Sequence, residues 1–195
     1  ISRRVNRVTG ERELVEAPLT ESVQLEGDLL VHTLGPGTRL LLVGAGEVAR
    51  HLGRMALATD FQVTLCEPRQ AFLAGWDEPG IAVEERLPDD LVQERFCDRQ
   101  AAVLALAHDP RVDDMALLAA LTSNAFYVGA MGSQRTSAQR RQRLHELGLD
   151  RNALARLHAP VGLSIGSKTP GEIAVSIMAE LVAERYRLLT RALHL

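Results

Sequence analysis

The sequence predicts an α/β domain: a three-layer, Rossmann-like fold with a mostly parallel sheet, preceded by a short N-terminal β segment. Three observations predict it. Arg39 to Arg50, RLLLVGAGEVAR, runs from a row of apolar residues into the glycine pair Gly44 and Gly46 and directly into a helical pattern. From there, short apolar runs alternate with amphipathic helical stretches. The strand ends fall at Gly44, Glu67, His108 and Gly129, and a parallel sheet brings the loops that follow them to one edge.

The totals are those of an ordinary soluble globular chain. The 195 residues suit one domain, or one domain plus a fragment, with 46% apolar and 24% charged residues. A formal net charge of −3 gives no pull toward nucleic acid or an anionic membrane. Aromatics at 4% are too scarce for base-stacking platforms. No apolar run has the length of a membrane span. Two cysteines, Cys66 and Cys97, make no disulfide framework and point to a reducing cytoplasm. The chain opens on Ile1 rather than Met, which points to a missing N-terminal part.

Residues 1–37 scatter small apolar groups among charges and the turn signals Thr9-Gly10 and Glu26-Gly27-Asp28. Short β pieces are expected there, including Leu29 to Leu34, with a sharp break at Gly35-Pro36-Gly37. This segment reads as the end of a missing domain, a linker or an added hairpin. Residues 38–195 form the α/β domain.

In that domain the first helix is expected from Glu47 to Thr59, with Val48, Leu52, Met55 and Ala56 inward. The second strand is Gln62 to Cys66. A loop or short helix surrounds Trp76, and Ile81 to Val83 makes a short third strand. Leu87 to Asp90 opens a helix carrying Leu91, Val92 and Phe96. Ala102 to Ala107 is a central strand, buried on both faces. Asp113 or Asp114 is expected to cap the next helix, which turns Met115, Leu117, Leu118 and Leu121 inward. Phe126 to Val128 is the fifth strand. Gln134 to Leu147 is a helix stopped by Gly148, and its Arg135, Arg140, Arg141 and Arg143 read most simply as a solvated face. Asp150 caps a short helix. Thr169-Pro170-Gly171-Glu172 is a capping box opening a last helix with Ile173, Ile177, Leu181 and Tyr186 as its apolar stripe.

The chemistry gathers at the strand ends. Gly44 permits a tight turn, and Gly46, lacking a Cβ, lets a pyrophosphate approach the backbone. The helix amides of Glu47 and Val48 then face the phosphates. Glu67 stands where a dinucleotide fold holds a ribose hydroxyl, and Arg69 is placed to pair a 2′-phosphate, which leaves NAD and NADP both open. Glu67 can equally be a solvated strand-end carboxylate. His108 and Asp109 offer an acid, a base or a ligand. Gly129, Gly132, Ser133 and Arg135 form a second glycine turn feeding a helix N-terminus, either an anion site or simply a well-capped turn. The remaining histidines are isolated and read as structural. No spaced metal set and no nucleophile elbow occur in the sequence. Cys66 lies in a buried strand, where a thiol is inert, and Cys97 is the more exposed.

VGAGEVARHL, TLCEPR, LALAHDPRVDD, FYVGAMGSQRT and HAPVGLSIGSKTPGEIAVSIMAEL stand in the order of one known family. Over residues 38–187 the chain resembles the xanthine dehydrogenase accessory factor (XdhC/CoxI) family, in its C-terminal, Rossmann-like domain. The resemblance implies a chaperone that binds molybdenum cofactor in its molybdopterin form. Such a chaperone protects the cofactor while a cysteine desulfurase equips it with sulfur. It then delivers the cofactor to an apo molybdenum hydroxylase such as xanthine dehydrogenase. The charge and hydropathy point to no nucleic acid and no membrane as partners, and a homodimer stays open. The Gly-Gly-Cys motif of the family's N-terminal domain has no counterpart in this sequence, and Glu47 replaces the histidine that many members carry after the glycine turn.

On this reading the two glycine turns, with Glu67, Arg69, His108 and Asp109, line a cleft for cofactor or nucleotide. Two other functions fit the same residues. One is an NAD(P)-dependent oxidoreductase with Glu67 on the ribose and His108 moving a proton. The other is a nucleotide-sensing module that gates a partner through the arginine-bearing helix.

Overall fold

The computed structural model describes residues 2–15, 23–33 and 37–193. The expected break at Gly35-Pro36 and the strand end at Leu34 lie outside the described residues. Contacts divide the chain into one unit of residues 1–36 with 183–195, and a second of residues 37–182.

The first unit contains the expected β pieces: β1 (Ser2–Asn6), β2 (Arg12–Val15), β3 (Val23–Glu26) and β4 (Leu29–Thr33). They form an antiparallel sheet in the order β2-β1-β4-β3. Gly27, at φ +59, makes the tight turn between β3 and β4.

The second unit begins with β5 (Arg39–Val43), α1 (Glu47–Ala58) and β6 (Gln62–Cys66). A 3₁₀ turn at Gln70–Phe72 leads to β7 (Ala82–Glu84) and α2 (Pro88–Arg95). Then come β8 (Ala101–Ala105), α3 (Pro110–Leu121), β9 (Tyr127–Ala130) and α4 (Gln134–Glu146). The short α5 (Arg151–Ala155) and β10 (Leu157–His158) precede α6 (Pro170–Leu193), which belongs to this unit as far as Val182. All six strands are parallel, in the order β10-β9-β8-β5-β6-β7.

Strand alternation divides the core into two layers. Leu41, Val43, Val103 and Ala105 face α2, α3 and α4, where Leu91, Phe96, Leu117, Leu121 and Leu144 are buried. Leu40, Leu42, Ala102 and Leu104 face α1 and α6, where Leu52, Ala56, Ile177 and Leu181 are buried. Ala49 is completely buried, as a helix crossing close over a strand requires. Gly148 ends α4 at φ +105 with paired bonds from Gly148 N–H to His145 O and Leu149 N–H to Leu144 O, a Schellman closure.

Four expectations are corrected. The central strand stops at Ala105 because Leu106 N–H turns to Val43 O and Ala107 N–H to the Asp113 carboxylate, so the chain leaves the ladder. The α3 cap is Asp109, whose side chain accepts from Arg111 N–H, while Asp113 and Asp114 lie buried inside the helix. Three of the four α4 arginines leave the solvated face: Arg140 is buried and Arg141 and Arg143 are half-buried, while Arg135 stays exposed. Tyr186 leaves the apolar stripe of α6 and is 67% exposed.

Candidate functional site

The strand order reverses between β5 and β8, so the loops at their carboxyl ends flank a crevice. Gly44 makes that geometry possible. Its φ is +107, and a Cβ there would sit 2.5 Å from Ala107 Cα, so the loops after β5 and β8 touch at this point. Gly46 differs. Its φ is −93, open to any residue, and a Cβ would meet nothing within 4 Å. The fold therefore does not require glycine at position 46. The side-chain space there lies empty above the first turn of α1.

That turn also has no side-chain cap. The helices α3, α4 and α5 are capped by Asp109, Ser133 and Asp150. The helix α2 has no side-chain cap either, but it begins on Pro88, which has no N–H to satisfy. The first amides of α1, at Glu47 and Val48, are thus left to an anion or to solvent. The Val48 side chain packs into the core, and the Glu47 side chain is exposed, with its carboxylate 3.4 Å from Arg50.

Glu67, at the end of β6, is completely buried. Its Oε1 accepts from Arg69 N–H at 3.0 Å and Arg69 Nε at 2.8 Å. Its Oε2 accepts from Arg69 Nη2 at 2.8 Å and Ala45 N–H at 3.3 Å. Burial opposes ionisation of Glu67, but these hydrogen bonds outweigh it and hold the carboxyl below its usual range. The Arg69 guanidinium also lies over the Phe72 ring, 4.0 Å from its centre.

Across the crevice, His108 is exposed and sits at φ +57, a left-handed conformation uncommon for a side-chain-bearing residue. Its neighbour Asp109 receives Arg111 N–H at 3.0 Å, Arg111 Nε at 3.1 Å and Arg111 Nη2 at 2.9 Å. It also lies 3.4 Å from Arg69 Nη1. The Arg111 side-chain bonds, with its backbone N–H, bring the Asp109 carboxyl down to about 2.

At the end of β9, a Cβ on Gly129 would lie 2.7 Å from both Leu104 and Val161, so this glycine serves close packing. A Cβ on Gly132 would meet Thr136 Oγ1 at 2.6 Å. Ser133 and Thr136 close a reciprocal capping box, with Ser133 N–H reaching Thr136 Oγ1 at 2.8 Å and Thr136 N–H reaching Ser133 Oγ at 3.2 Å. This turn is therefore better filled by its own side chains than the first one. Arg135 is exposed beside it.

Two groups escaped the sequence reading. Glu180 on α6 accepts from Tyr127 Oη at 2.9 Å and from Gly162 N–H at 2.5 Å, and it lies 2.8 Å from His158 Nδ1. Glu78 receives both Arg50 and Arg54, with Arg50 also over the Trp76 ring. A Glu among apolar positions of a long helix was the available signal for the first. Nothing local marked the second. Cys66 is buried, and burial pushes its thiol up to about 12, beyond reach as a nucleophile at neutral pH.

A parallel sheet in this order, with a glycine turn and an uncapped helix at the reversal point, defines a Rossmann-type domain. The chain belongs to the XdhC Rossmann domain family, whose model matches residues 40–181. It is 39% identical over 88 residues to the molybdenum cofactor insertion chaperone PaoD of Escherichia coli (strain K12), a match covering 45% of this chain and 28% of that protein. It is 30% identical over 162 residues to a probable xanthine dehydrogenase subunit of Bacillus subtilis (strain 168), covering 82% of this chain and 47% of that one. A solved structure described as a xanthine dehydrogenase from Bacillus halodurans matches with a TM-score of 0.71 and 25% identity, over 95% of this chain and 60% of that one. The chain thus spans less than half the length of these two curated relatives. No helix among the described residues is long and apolar enough to cross a membrane.

Proposed function

We propose that this domain is the cofactor-holding part of a chaperone for a molybdenum hydroxylase such as xanthine dehydrogenase. Molybdenum cofactor, in its molybdopterin form, is its cargo rather than a resident group. The observation that carries this reading is the space over Gly46 and the uncapped start of α1. The free backbone amides there suit a phosphate, and no side chain caps them. The name of the E. coli relative supports the same cargo.

On this proposal Gly44, Gly46, Glu47 and Val48 hold the phosphate end. Glu67 and Arg69 form one wall of the cleft, and His108 and Asp109 with Gly129, Gly132, Ser133 and Arg135 form the other. The protein's work is to bind, orient and shield. Sulfuration by a cysteine desulfurase, delivery to the apoenzyme, pairing into a homodimer, residence in the cytoplasm and a working domain of residues 38–195 belong to the same proposal. NAD(P) is a second ligand class for this cleft.

Thermal unfolding of the chain with anaerobic molybdenum cofactor, NAD and NADP tests the reading. A ligand at a hundred times its dissociation constant adds about 2.7 kcal/mol. For a domain of this size that is several degrees. The expected result is a rise with molybdenum cofactor. No rise with it would overturn the cargo assignment.

A further inference from the structure

His158 differs from the isolated, structural histidine that the sequence predicts. On β10 it pairs in register with Gly129, near the carboxyl end of β9, so it extends the proposed cleft wall to the edge of the sheet. Its Nδ1 lies 2.8 Å from Glu180 Oε1, while Glu180 Oε2 accepts from Tyr127 Oη and Gly162 N–H. The Tyr127 ring lies along one face of the imidazole, with centres 4.5 Å apart and planes tilted by 30°. Gly129 makes room for that stack, since a Cβ there would come within 3.1 Å of Tyr127 Cε1.

These contacts set the chemistry of the ring. Burial opposes ionisation of Glu180, yet the bonds from His158, Gly162 N–H and Tyr127 hold its carboxyl below the usual range. A carboxylate only accepts, so in the neutral imidazole Nδ1 carries the proton and Nε2 presents a lone pair. Among the described residues no group bonds to Nε2, and the side chain is 29% exposed. A carboxylate-held imidazole of this kind often ligates a metal. No group of three or more candidate metal ligands occurs among the described residues, so the lone pair is left for a hydrogen-bond donor.

The place of His158 in the sheet indicates what kind of donor. From β5, which ends at the Gly44–Gly46 turn, β10 is reached across β8 and β9, three strand spacings or about 14 Å. A pterin joined to a phosphate-bearing arm is of comparable length, and its far edge carries ring N–H and amine donors. We propose that His158 Nε2 is a ligand-binding subsite at the far end of the cleft, accepting a hydrogen bond from an N–H group of a flat heterocycle, the pterin of the cargo. The inference rests on the cargo reading above and concerns the end of the cargo remote from its phosphate. Glu180 acts here as a positioning residue that fixes the tautomer.

Nitrogen NMR of the imidazoles in the full chain tests this, with pterin itself as a phosphate-free probe. The His158 signals are assigned by their loss in His158→Gln. In alkaline buffer the free protein should show the Nδ1–H tautomer at His158, and pterin should move the Nε2 resonance. His158→Phe keeps a ring against Tyr127 but removes the lone pair. Once shown folded by its melting transition, it should bind pterin at least about tenfold more weakly. His158→Gln keeps an acceptor and should recover part of that loss. Glu180→Gln should let the Nε2–H tautomer appear at His158 and weaken pterin binding with it. If the Phe variant does not fold, the wild-type resonance shift decides alone. An Nε2 resonance unmoved by pterin overturns the proposal, and so does wild-type pterin affinity in folded His158→Phe. Calorimetry with isolated molybdenum cofactor separates the two readings. If cofactor affinity falls in Gly46→Val but not in folded His158→Phe, the cargo reading stands and this inference falls. If pterin moves Nε2 but the chain does not bind the cofactor, the heterocycle subsite stands and the cargo reading falls.

Discussion

Arg140 on α4 donates through Nη2 to Asp113 Oδ2 on α3 at 3.0 Å, and both side chains are buried. Each partner also holds a strand-end loop. Asp113 Oδ1 accepts Ala107 N–H at 3.0 Å, and Arg140 Nη1 donates to Met131 O at 2.9 Å. One ion pair thus links the loop after β8 to the loop after β9, on one side of the proposed cleft.

Breaking that pair from one side should be costly. Arg140→Met leaves Asp113 as a buried carboxylate without its cation, a change that typically costs about 3–5 kcal/mol. The double variant Asp113→Leu/Arg140→Met removes both charges and should recover most of the loss. Urea unfolding of the three proteins measures this. A single variant within about 1 kcal/mol of wild type would show that the pair does not organise the loops.

The two glycines of the first turn should separate fold from binding. Gly44→Val places a β-branched residue at φ +107 with its Cβ 2.5 Å from Ala107 Cα, so the melting temperature should fall steeply. A Cβ at position 46 has no atom of the protein within 4 Å, so in Gly46→Val the melting temperature should hold while ligand affinity drops at least about tenfold. A destabilised Gly46→Val would mean that position 46 serves the fold after all.

Acid should loosen the start of α3 at a defined point. The Asp109 carboxyl lies near 2 in the folded chain, well below its ordinary value of 3.8. Its folded value is lowered, so its contribution is complete above about pH 4 and disappears as pH falls toward 2. Asp109→Asn keeps a cap oxygen but loses the charge. The stability gap between wild type and Asp109→Asn should therefore be flat above pH 4 and close between pH 4 and 2. Denaturant midpoints across that range measure it, and a gap independent of pH would refute the assignment.

Glu180 should matter more than its place on α6 suggests. Burial opposes its ionisation, yet His158, Gly162 N–H and Tyr127 together hold its carboxyl below the usual range. Glu180→Ala leaves Tyr127 Oη and Gly162 N–H without this acceptor, at about 2–4 kcal/mol in total. Amide exchange at Gly162 should quicken in the variant, and unchanged exchange would show that Glu180 is not what fixes that loop.

How much of this was legible follows from the range of each interaction. Strand order aside, the sequence determined the α/β alternation, the glycine turn before α1, the cap at Asp150 and the box at Thr169 and Glu172, whose carboxylate accepts Thr169 N–H at 2.9 Å. These are set by residues within a few positions of one another, so local chemistry is enough to place them. The choice of Asp109 over Asp113 or Asp114 as the α3 cap was not local. Asp113 and Asp114 are drawn inward by Arg140 and Arg143, which lie 27 and 29 residues further on. The same distance hid the burial of those arginines. Glu67 shows the division most clearly. Its position at a strand end could be read from the chain, but whether its oxygens were open to a ribose could not. That was decided by Arg69 folding back and by Ala45 N–H arriving from a loop 22 residues away. Periodicity and caps come from the chain itself, whereas the partners of buried charges are chosen only when the sheet brings distant loops to one edge.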